Sequence, residues 1–283
     1  MEKVGIIGTG IVGSAVSVGL GNIAEIREHD KYRDSESLES VVNNSNIVFI
    51  CTPTPMDKNT GACDVSIVES VCKEAVSVTK KHKTFVIKSS VIPGTTQKLQ
   101  EKYRGHTFIF NPEFLTEKQF IQDFLEQDRI ILGCDKKEIY GLEKLYIEFT
   151  KTQKSPAKII KTDSKIAEIV KYVGNCFLAT KVMFFNEIYE ICKASNVDYD
   201  QVKDLVSMDK RIKDSHMNVP GHDGQFGFGG KCFPANINAL IYYARELGCD
   251  PLILDSIWSK NCIVRENYDW ENIPAVTGEY KNE

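Results

Sequence analysis

The chain has 283 residues, of which 42% are hydrophobic and 26% are charged, and its formal net charge is −4. This composition excludes a disordered or fibrous chain, and the length favours two packed domains over a single core. Without a basic excess, nucleic acid and anionic membranes are not expected as partners.

The nine cysteines are scattered and include no C-x-x-C pair, which favours a reducing compartment and argues against a zinc site. The apolar run from Val4 to Leu20 is interrupted by glycines, which is not typical of a signal peptide. The sequence has no uninterrupted apolar window of about 20 residues, the length that spans a bilayer. We therefore expect a cytoplasmic protein, and we predict no metal site.

The first half of the chain alternates short β-rich runs with helical stretches, as parallel βαβ units do. Strands are predicted at residues 3–7, 25–28, 47–51, 85–88, 108–110 and 129–132. Between them, Val65 to Lys80 carries apolar residues at helical spacing. The predicted fold class is α/β, with a Rossmann-like, doubly wound parallel sheet in an N-terminal domain of residues 1–160.

Residues 161–283 are predicted to form a mainly helical second domain. Asp163 can cap a helix whose apolar positions continue to Cys192, and a glycine-dense stretch from Pro220 to Gly230 interrupts the helical pattern. No clear strand is expected in this half, and residues 267–283 have the composition of a polar tail.

A glycine-rich loop, Gly8-Thr-Gly-Ile-Val-Gly13, follows the first strand and opens a helix. In a dinucleotide site Gly8 makes the turn, Gly10 admits a pyrophosphate and Gly13 packs helix against strand, while the amides of Ile11 and Val12 face the phosphates. The alternative is that these glycines only form a tight turn and bind no ligand.

Asp30 lies about twenty residues after this loop, where an acid accepts hydrogen bonds from the adenosine ribose. The alternative is a solvated loop acid. With an acid here we predict NAD as the cofactor rather than NADP, although Arg33 is close enough to approach a ribose phosphate.

Cys232 differs from the other cysteines because Phe226-Gly-Phe-Gly-Gly230 precedes it and a helix follows it. Pro234 suits the first helical position and Gly248 a helix end. The helix dipole and Lys231 favour a thiolate, which is the reactive form of cysteine. A buried, inert thiol is the ordinary alternative for any single cysteine.

Lys171 and Asn175 are four residues apart on the long predicted helix, so both project from one face. A lysine can act as a base or stabilise an alkoxide, and an asparagine can orient a hydroxyl or a water. Taken alone, such a pair is more typical of a solvated helix face.

Six segments resemble the nucleotide-sugar dehydrogenase family of the UDP-glucose type, and they follow the family's order across almost the whole chain. They are Gly8-Thr-Gly-Ile-Val-Gly13, Cys51-Thr-Pro-Thr54, Ser89-Ser-Val-Ile-Pro-Gly-Thr95, Asn111-Pro-Glu-Phe-Leu-Thr-Glu117, Lys171-Tyr-Val-Gly-Asn175 and Phe226-Gly-Phe-Gly-Gly-Lys-Cys-Phe-Pro234. The fourth and sixth segments are highly specific together.

The resemblance implies a two-step oxidation of a sugar CH₂OH to a carboxylate with two NAD⁺, as in the conversion of UDP-glucose to UDP-glucuronate. Cys232 would hold the aldehyde as a thiohemiacetal and then carry a thioester. Lys171 and Asn175 would stabilise the oxyanions, and Glu113 would assist the hydrolytic water.

The remaining site residues are also implied by position in the family motifs. Thr52, Ser90 and Glu117 would contact the cofactor, and Ser90 would also take part in catalysis. Phe114, Leu115, Phe228 and Gly229 would contact the substrate. Ser90 stands where the family usually has threonine. Arg211 resembles an arginine that reaches the substrate of a neighbouring subunit, so a homodimer is expected.

The chain departs from the family at Asn236, where an aspartate is usual, and at Ala235, where a lysine is usual. Asparagine cannot accept a proton, so we expect a slow enzyme or a base elsewhere. Family members also generally continue into a third domain that closes over the nucleotide, so we expect a short form.

Two alternatives remain open. The short β-hydroxyacid dehydrogenases resemble this chain in length, in a Rossmann domain followed by helices and in a Lys-x-x-x-Asn pair, but they transfer one hydride without a cysteine. The chain could instead be a nucleotide or nucleotide-sugar binding protein that has lost the chemistry.

Overall fold

The structure is a computed structural model that describes residues 1–136 and 139–279. It contains two compact units. The first comprises Met1–Thr54 and Asp64–Lys171, and the second comprises Pro55–Cys63 and the described residues from Tyr172 onward. The domain boundary after residue 160 stays a prediction.

The first unit is built on a seven-stranded sheet in the order β2-β1-β3-β4-β5-β6-β7. The strands are β1 (Glu2–Ile7), β2 (Ala24–His29), β3 (Ile47–Ile50), β4 (Thr84–Ile87), β5 (Thr107–Phe110), β6 (Arg129–Gly133) and β7 (Lys158–Thr162). Neighbouring strands pair in parallel except β5 and β6. The predicted strands are confirmed, and the strand order reverses beside β1, where open α/β sheets bind ligands.

Helices alternate with these strands in the first unit. They are α1 (Ile11–Leu20), α2 (Leu38–Asn43), α3 (Ser66–Val78), α4 (Thr95–Lys102), α5 (Phe120–Leu125) and α6 (Tyr140–Gln153). Successive strand residues enter different cores, as Val48 and Phe49 do, because side chains alternate between the two faces of a sheet. Both faces are therefore buried, as a doubly wound sheet requires.

The second unit is mainly helical. Its helices are α7 (Ser164–Ala194), which begins in the first unit, α8 (Tyr199–Ser207), α9 (Cys232–Glu246), α10 (Leu252–Val264) and α11 (Pro274–Thr277). Its central core joins α7, α9 and α10 through buried residues such as Met183 and Ile237. As predicted, α9 ends next to Gly248, which has a φ of +76°.

Two expectations from the sequence are wrong. Strand β7 was not predicted, because it is an edge strand whose side chains are mostly exposed and whose lysines mask its apolar pattern. Residues 267–279 are not a polar tail. Trp270 lies in a 3₁₀ turn and Val276 in α11, and both side chains are buried, while residues 280–283 lie outside the described part.

Two features are absent from the described ranges, 1–136 and 139–279. None of the helices there combines the length and the apolar character needed to cross a bilayer. Nor do three or more His, Cys, Asp or Glu side chains of those residues gather in an arrangement that could hold a metal ion.

Candidate active site

The glycine-rich loop is shaped by close backbone approaches that exclude side chains. Gly8 has a φ of +91°, and a Cβ on it would lie 2.9 Å from the Cys51 carbonyl oxygen. A Cβ on Gly13 would lie 1.9 Å from the Gly8 carbonyl oxygen, whereas Gly10 faces open space. Helix α1 begins at Ile11 without a side-chain cap, so its first amides are available to an anion.

Asp30 is tied to the same loop. Its carboxylate accepts hydrogen bonds from the Thr9 amide at 2.8 Å and the Thr9 hydroxyl at 3.0 Å, and from the Tyr32 amide at 2.9 Å. Burial alone raises the pKa of Asp30, but these hydrogen bonds and Arg33 bring that pKa below its ordinary value. Asp30 is therefore ionised at neutral pH, as a ribose acceptor must be.

Arg33 also approaches the loop, and its Nη1 donates to the Thr9 carbonyl oxygen at 2.7 Å. A guanidinium at this position bears on cofactor choice, because a ribose phosphate would be attracted to it.

Thr52 follows strand β3, and its hydroxyl is buried with no hydrogen-bond partner among the residues that the structure describes. Leaving a buried hydroxyl without a hydrogen bond costs free energy, so we expect a ligand atom to form a hydrogen bond with it. Neighbouring Ser89, not predicted as a site residue, donates its hydroxyl to the Thr52 carbonyl oxygen at 2.5 Å, whereas predicted Ser90 is half-buried. Together with the open loop at Gly10, this hydroxyl fits a bound dinucleotide.

Glu113 and Lys171 form a buried ion pair in the first unit. Lys171 Nζ donates to Oε1 and to the carbonyl oxygen of Glu113, both at 2.6 Å, and the Leu115 amide donates to Oε2 at 2.8 Å. Burial alone raises the pKa of Glu113, but the Lys171 ammonium and these hydrogen bonds hold that pKa below its ordinary value. Lys171 is 3% exposed and therefore is not part of a solvated helix face.

Phe114 lies beside this pair and between two cations. The Arg129 guanidinium carbon is 4.2 Å from the centroid of its ring, and Lys171 Nζ is 5.5 Å away. Leu115 is half-buried against the adjacent core, and Glu117 is exposed in the turn that follows. Arg129 was not predicted as a site residue.

A second buried lysine, Lys88, lies at the end of β4 and was also missed. Its Nζ donates to Asn111 Oδ1 at 3.2 Å, and burial lowers its pKa to about 8. The sequence carries a signal for it, since a lysine directly after an apolar strand and before Ser89 and Ser90 points to the carboxyl edge of the sheet.

Glu168 is a further residue that the sequence reading missed. Its carboxylate accepts hydrogen bonds from the amides of Gly94 and Thr96 at the start of α4. It thereby holds the loop after Ser90 to helix α7.

In the second unit, Cys232 is the first residue of α9 and is half-buried. Phe228, four residues earlier, is 4% exposed and packs with Phe233 and Trp258, so its ring is buried. Gly229 follows, and a Cβ on it would lie 2.2 Å from Arg265 Nη2.

Asn175 and Asn236 are joined in the second unit. Asn175 Nδ2 donates to Asn236 Oδ1 at 2.9 Å, and both side chains are buried. Asn175 thus lies one turn after Lys171 on α7. It contacts Asn236, the position at which the family usually has an aspartate.

Arg211 lies on the surface of the second unit. Its side chain is 89% exposed and pairs with Asp209 two residues earlier. Its predicted role in a neighbouring subunit's site stays a prediction, as do the other roles assigned from the sequence.

Two domain models of one protein family match the chain. The NAD-binding domain of the UDP-glucose/GDP-mannose dehydrogenase family matches residues 21–150, and the central domain of the same family matches residues 165–262.

The similar proteins are named as dehydrogenases of two different nucleotide sugars. A UDP-glucose 6-dehydrogenase of Rickettsia bellii is 34% identical over 240 residues, which are 83% of this chain and 53% of that protein. A GDP-mannose 6-dehydrogenase of Pseudomonas syringae pv. tomato is 35% identical over 246 residues, which are 82% of this chain and 54% of that protein. The chain thus spans about half the length of these curated relatives.

Solved structures share the fold. A UDP-glucose dehydrogenase from the archaeon Pyrobaculum islandicum matches with a TM-score of 0.81 and 26% identity, covering 93% of this chain and 68% of that one. A 3-hydroxyisobutyrate dehydrogenase of Mycobacterium tuberculosis matches with a TM-score of 0.74 over 95% of this chain and 96% of that one. Its identity is 13%, so that likeness shows the fold alone.

Proposed function

Because the chain belongs to the UDP-glucose/GDP-mannose dehydrogenase family, we propose that it oxidises the hydroxymethyl group of a nucleotide sugar to a carboxylate, with UDP-glucose as the first candidate. The observation that carries this proposal is Cys232, half-buried at the N-terminus of α9 behind a glycine-rich loop. A thiol there is suited to hold an aldehyde between two oxidations.

The overall reaction would consume one sugar alcohol, two NAD⁺ and one water, and would release one carboxylate, two NADH and three protons. Both oxidations would use bound NAD⁺ as the electron acceptor, with contacts to the loop at Gly8–Gly13, to Asp30 and to the Thr52 hydroxyl.

The residues of the chain would act on the sugar carbon. The Cys232 thiolate would form a C–S bond to the aldehyde, and oxidation of that thiohemiacetal would give a thioester. Lys171 and Asn175 would donate to the oxygen that carries negative charge. Water would then replace sulfur, with its proton accepted by Glu113, which is ionised because Lys171 and neighbouring hydrogen bonds lower its pKa.

We also propose that the chain acts as a homodimer. Four exposed apolar side chains follow one face of α7 at spacings of four and seven residues: Val173, Phe177, Phe184 and Ile191. A second copy of the chain would cover them. Arg211, exposed on its own subunit, would then be available to a neighbouring substrate.

NADH release at 340 nm tests the proposal, scored as NADH formed per sugar consumed with UDP-glucose, GDP-mannose and UDP-N-acetyl sugars. Two NADH per sugar are expected, and Cys232→Ala should stop the second oxidation while Cys249→Ala, which removes an exposed thiol, should not. One NADH per substrate with an indifferent Cys232→Ala variant would favour a β-hydroxyacid type of enzyme. Measurable NAD binding without turnover would favour a binding protein.

A further inference from the structure

Four polar side chains surround the loop that leads into Cys232, and we call Asn186, Asn261, Arg265 and Asp269 the loop clamp. The first three are buried, and Asp269 is 34% exposed. They come from α7, from α10, from the residue after α10 and from the 3₁₀ turn at Asp269–Asn272. The loop itself is Gly227–Gly230. The loop clamp therefore joins separate elements of the second unit to one short stretch of backbone.

The two asparagines bind the first half of the loop. Asn186 Oδ1 accepts from the Gly227 amide at 2.9 Å. Asn261 Oδ1 accepts from the Phe228 amide at 2.7 Å, and its Nδ2 donates to the Phe228 carbonyl oxygen at 3.1 Å. One side chain thus hydrogen-bonds both the amide and the carbonyl oxygen of Phe228, as a neighbouring β-strand would.

Asp269 binds the second half of the loop and is paired with Arg265. Asp269 Oδ2 accepts from the Gly230 amide at 3.0 Å. Arg265 Nη2 lies 3.3 Å from Asp269 Oδ1 and 2.7 Å from Asp223 Oδ2. The Arg265 side chain is 1% exposed, whereas the side chains of Asp223 and Asp269 are each 34% exposed.

The loop glycines are fitted to these side chains. A Cβ on Gly227 would lie 2.3 Å from Asn261 Oδ1, and a Cβ on Gly229 would lie 2.2 Å from Arg265 Nη2 and 2.3 Å from Asp269 Oδ1. Glycine at both positions is therefore explained by the approach of the loop clamp.

Packing alone would not select such residues. Asn186 and Asn261 are 2% and 0% exposed, and burying an amide is unfavourable unless its groups are hydrogen-bonded. Asn186 satisfies its remaining group by donating to the Val182 carbonyl oxygen at 2.8 Å. Buried amides that are hydrogen-bonded in this way favour one conformation. Arg265 Nη1 and Asp269 Oδ1, by contrast, have no hydrogen-bond partner among the described residues.

We propose that the loop clamp positions Cys232 for its reaction. By fixing Gly227–Gly230, it fixes where the chain enters α9 and thus keeps Sγ at the helix N-terminus, where a thiolate is stabilised. The members of the loop clamp are positioning residues that act through the loop backbone. This inference rests on the proposed role of Cys232 and deepens it.

The test measures alkylation of Cys232 by iodoacetamide in the whole chain, followed by mass spectrometry as a function of pH without substrate or cofactor. In Asn261→Ala and in Gly229→Ala, the pH of half-maximal reaction should rise by about one unit, which lowers the rate at neutral pH about tenfold. Asn261→Asp, which keeps the acceptor for the Phe228 amide, should recover part of that loss.

Tyr199→Phe is the matched control, because it removes a buried hydrogen bond to the Met217 carbonyl oxygen elsewhere in the second unit. It should lower the melting temperature and leave the pH of half-maximal alkylation unchanged. If Gly229→Ala and either Asn261 variant fold and alkylate with the unaltered pH midpoint, the positioning role is wrong.

The alkylation test of the positioning role can fail or succeed independently of the NADH test of the proposed function. If alkylation of Cys232 depends on the loop clamp but no nucleotide sugar yields NADH, the oxidation is refuted and the positioning role is supported. Normal turnover with alkylation that does not depend on the loop clamp would support the oxidation and refute the positioning role.

Discussion

At the scale of single residues, the Glu113–Lys171 pair ties stability to pH. The two side chains are 9% and 3% exposed, and removing one partner of a buried pair typically costs about 3–5 kcal/mol. The pKa of Glu113 is lowered, so its contribution to stability is present above the pKa of an unfolded glutamate, about 4.3, and is lost as the pH falls through the lower folded value.

We predict that Glu113→Gln lowers the free energy of unfolding at neutral pH by about 3 kcal/mol. The difference from the unaltered chain should shrink as the pH falls below about 4, because the unaltered chain then loses the carboxylate's contribution. Urea denaturation across this pH range checks it, with the exposed Glu148→Gln as the control. A difference that stays constant with pH would contradict the prediction.

Asn236 offers a second test at this scale. An aspartate there would still accept from Asn175 Nδ2 and would add a proton acceptor, so Asn236→Asp should raise turnover, by about 10² if the new carboxylate acts as a general base. NADH production with the best nucleotide sugar measures it. Asn238→Asp, on the same helix, should not raise turnover. Unchanged or slower turnover in Asn236→Asp would show that this position does not limit the rate.

At the scale of elements, helix α7 has two different surfaces. Buried positions such as Ala179 and Met183 pack against α9 and α10, whereas Phe177 and Phe184 are 66% and 57% exposed. Large apolar side chains in water at helical spacing are typical of a surface that a partner covers.

We predict that the double change Phe177→Glu and Phe184→Glu converts a dimer into monomers, because it places charges in the proposed interface. Light scattering after gel filtration measures the mass. Leu252→Glu, at an equally exposed apolar position on α10, should leave the dimer intact. A chain that is monomeric before any change, or a double variant that stays dimeric, would rule out this surface.

At the scale of the whole molecule, binding of NAD should raise stability, since a ligand that binds the folded state alone stabilises it by about 2.7 kcal/mol at a hundred times its Kd. Asp30→Ala should abolish most of the rise in melting temperature, because it removes the ribose acceptor and the hydrogen bonds that hold Thr9. Asp34→Ala, an exposed acid four residues later, serves as the control.

The same measurement with NADP tests cofactor choice. A smaller shift than with NAD is expected, because the Asp30 carboxylate would repel a ribose phosphate. A larger shift with NADP would instead mean that Arg33 determines the preference.

Much of the fold could be predicted because its signals are local. The strands β1 and β3 to β6 contain short apolar runs, the turn at Gly8–Gly13 needs glycine for steric reasons, and α7 and α9 carry helical periodicity. The family resemblance likewise depends on motifs of four to nine adjacent residues. Each of these signals is complete within a few residues of chain.

The tertiary structure alone decided which polar groups are buried and what they contact. Asn261 reaches Phe228 across 33 residues and Asn186 reaches Gly227 across 41, and nothing near either asparagine in the sequence indicates that partner. Trp270 and Val276 likewise lie in a segment whose composition predicts a polar tail. Burial and hydrogen bonding depend on surfaces that only the folded chain brings together, whereas turns, caps and periodicity depend on the residues themselves.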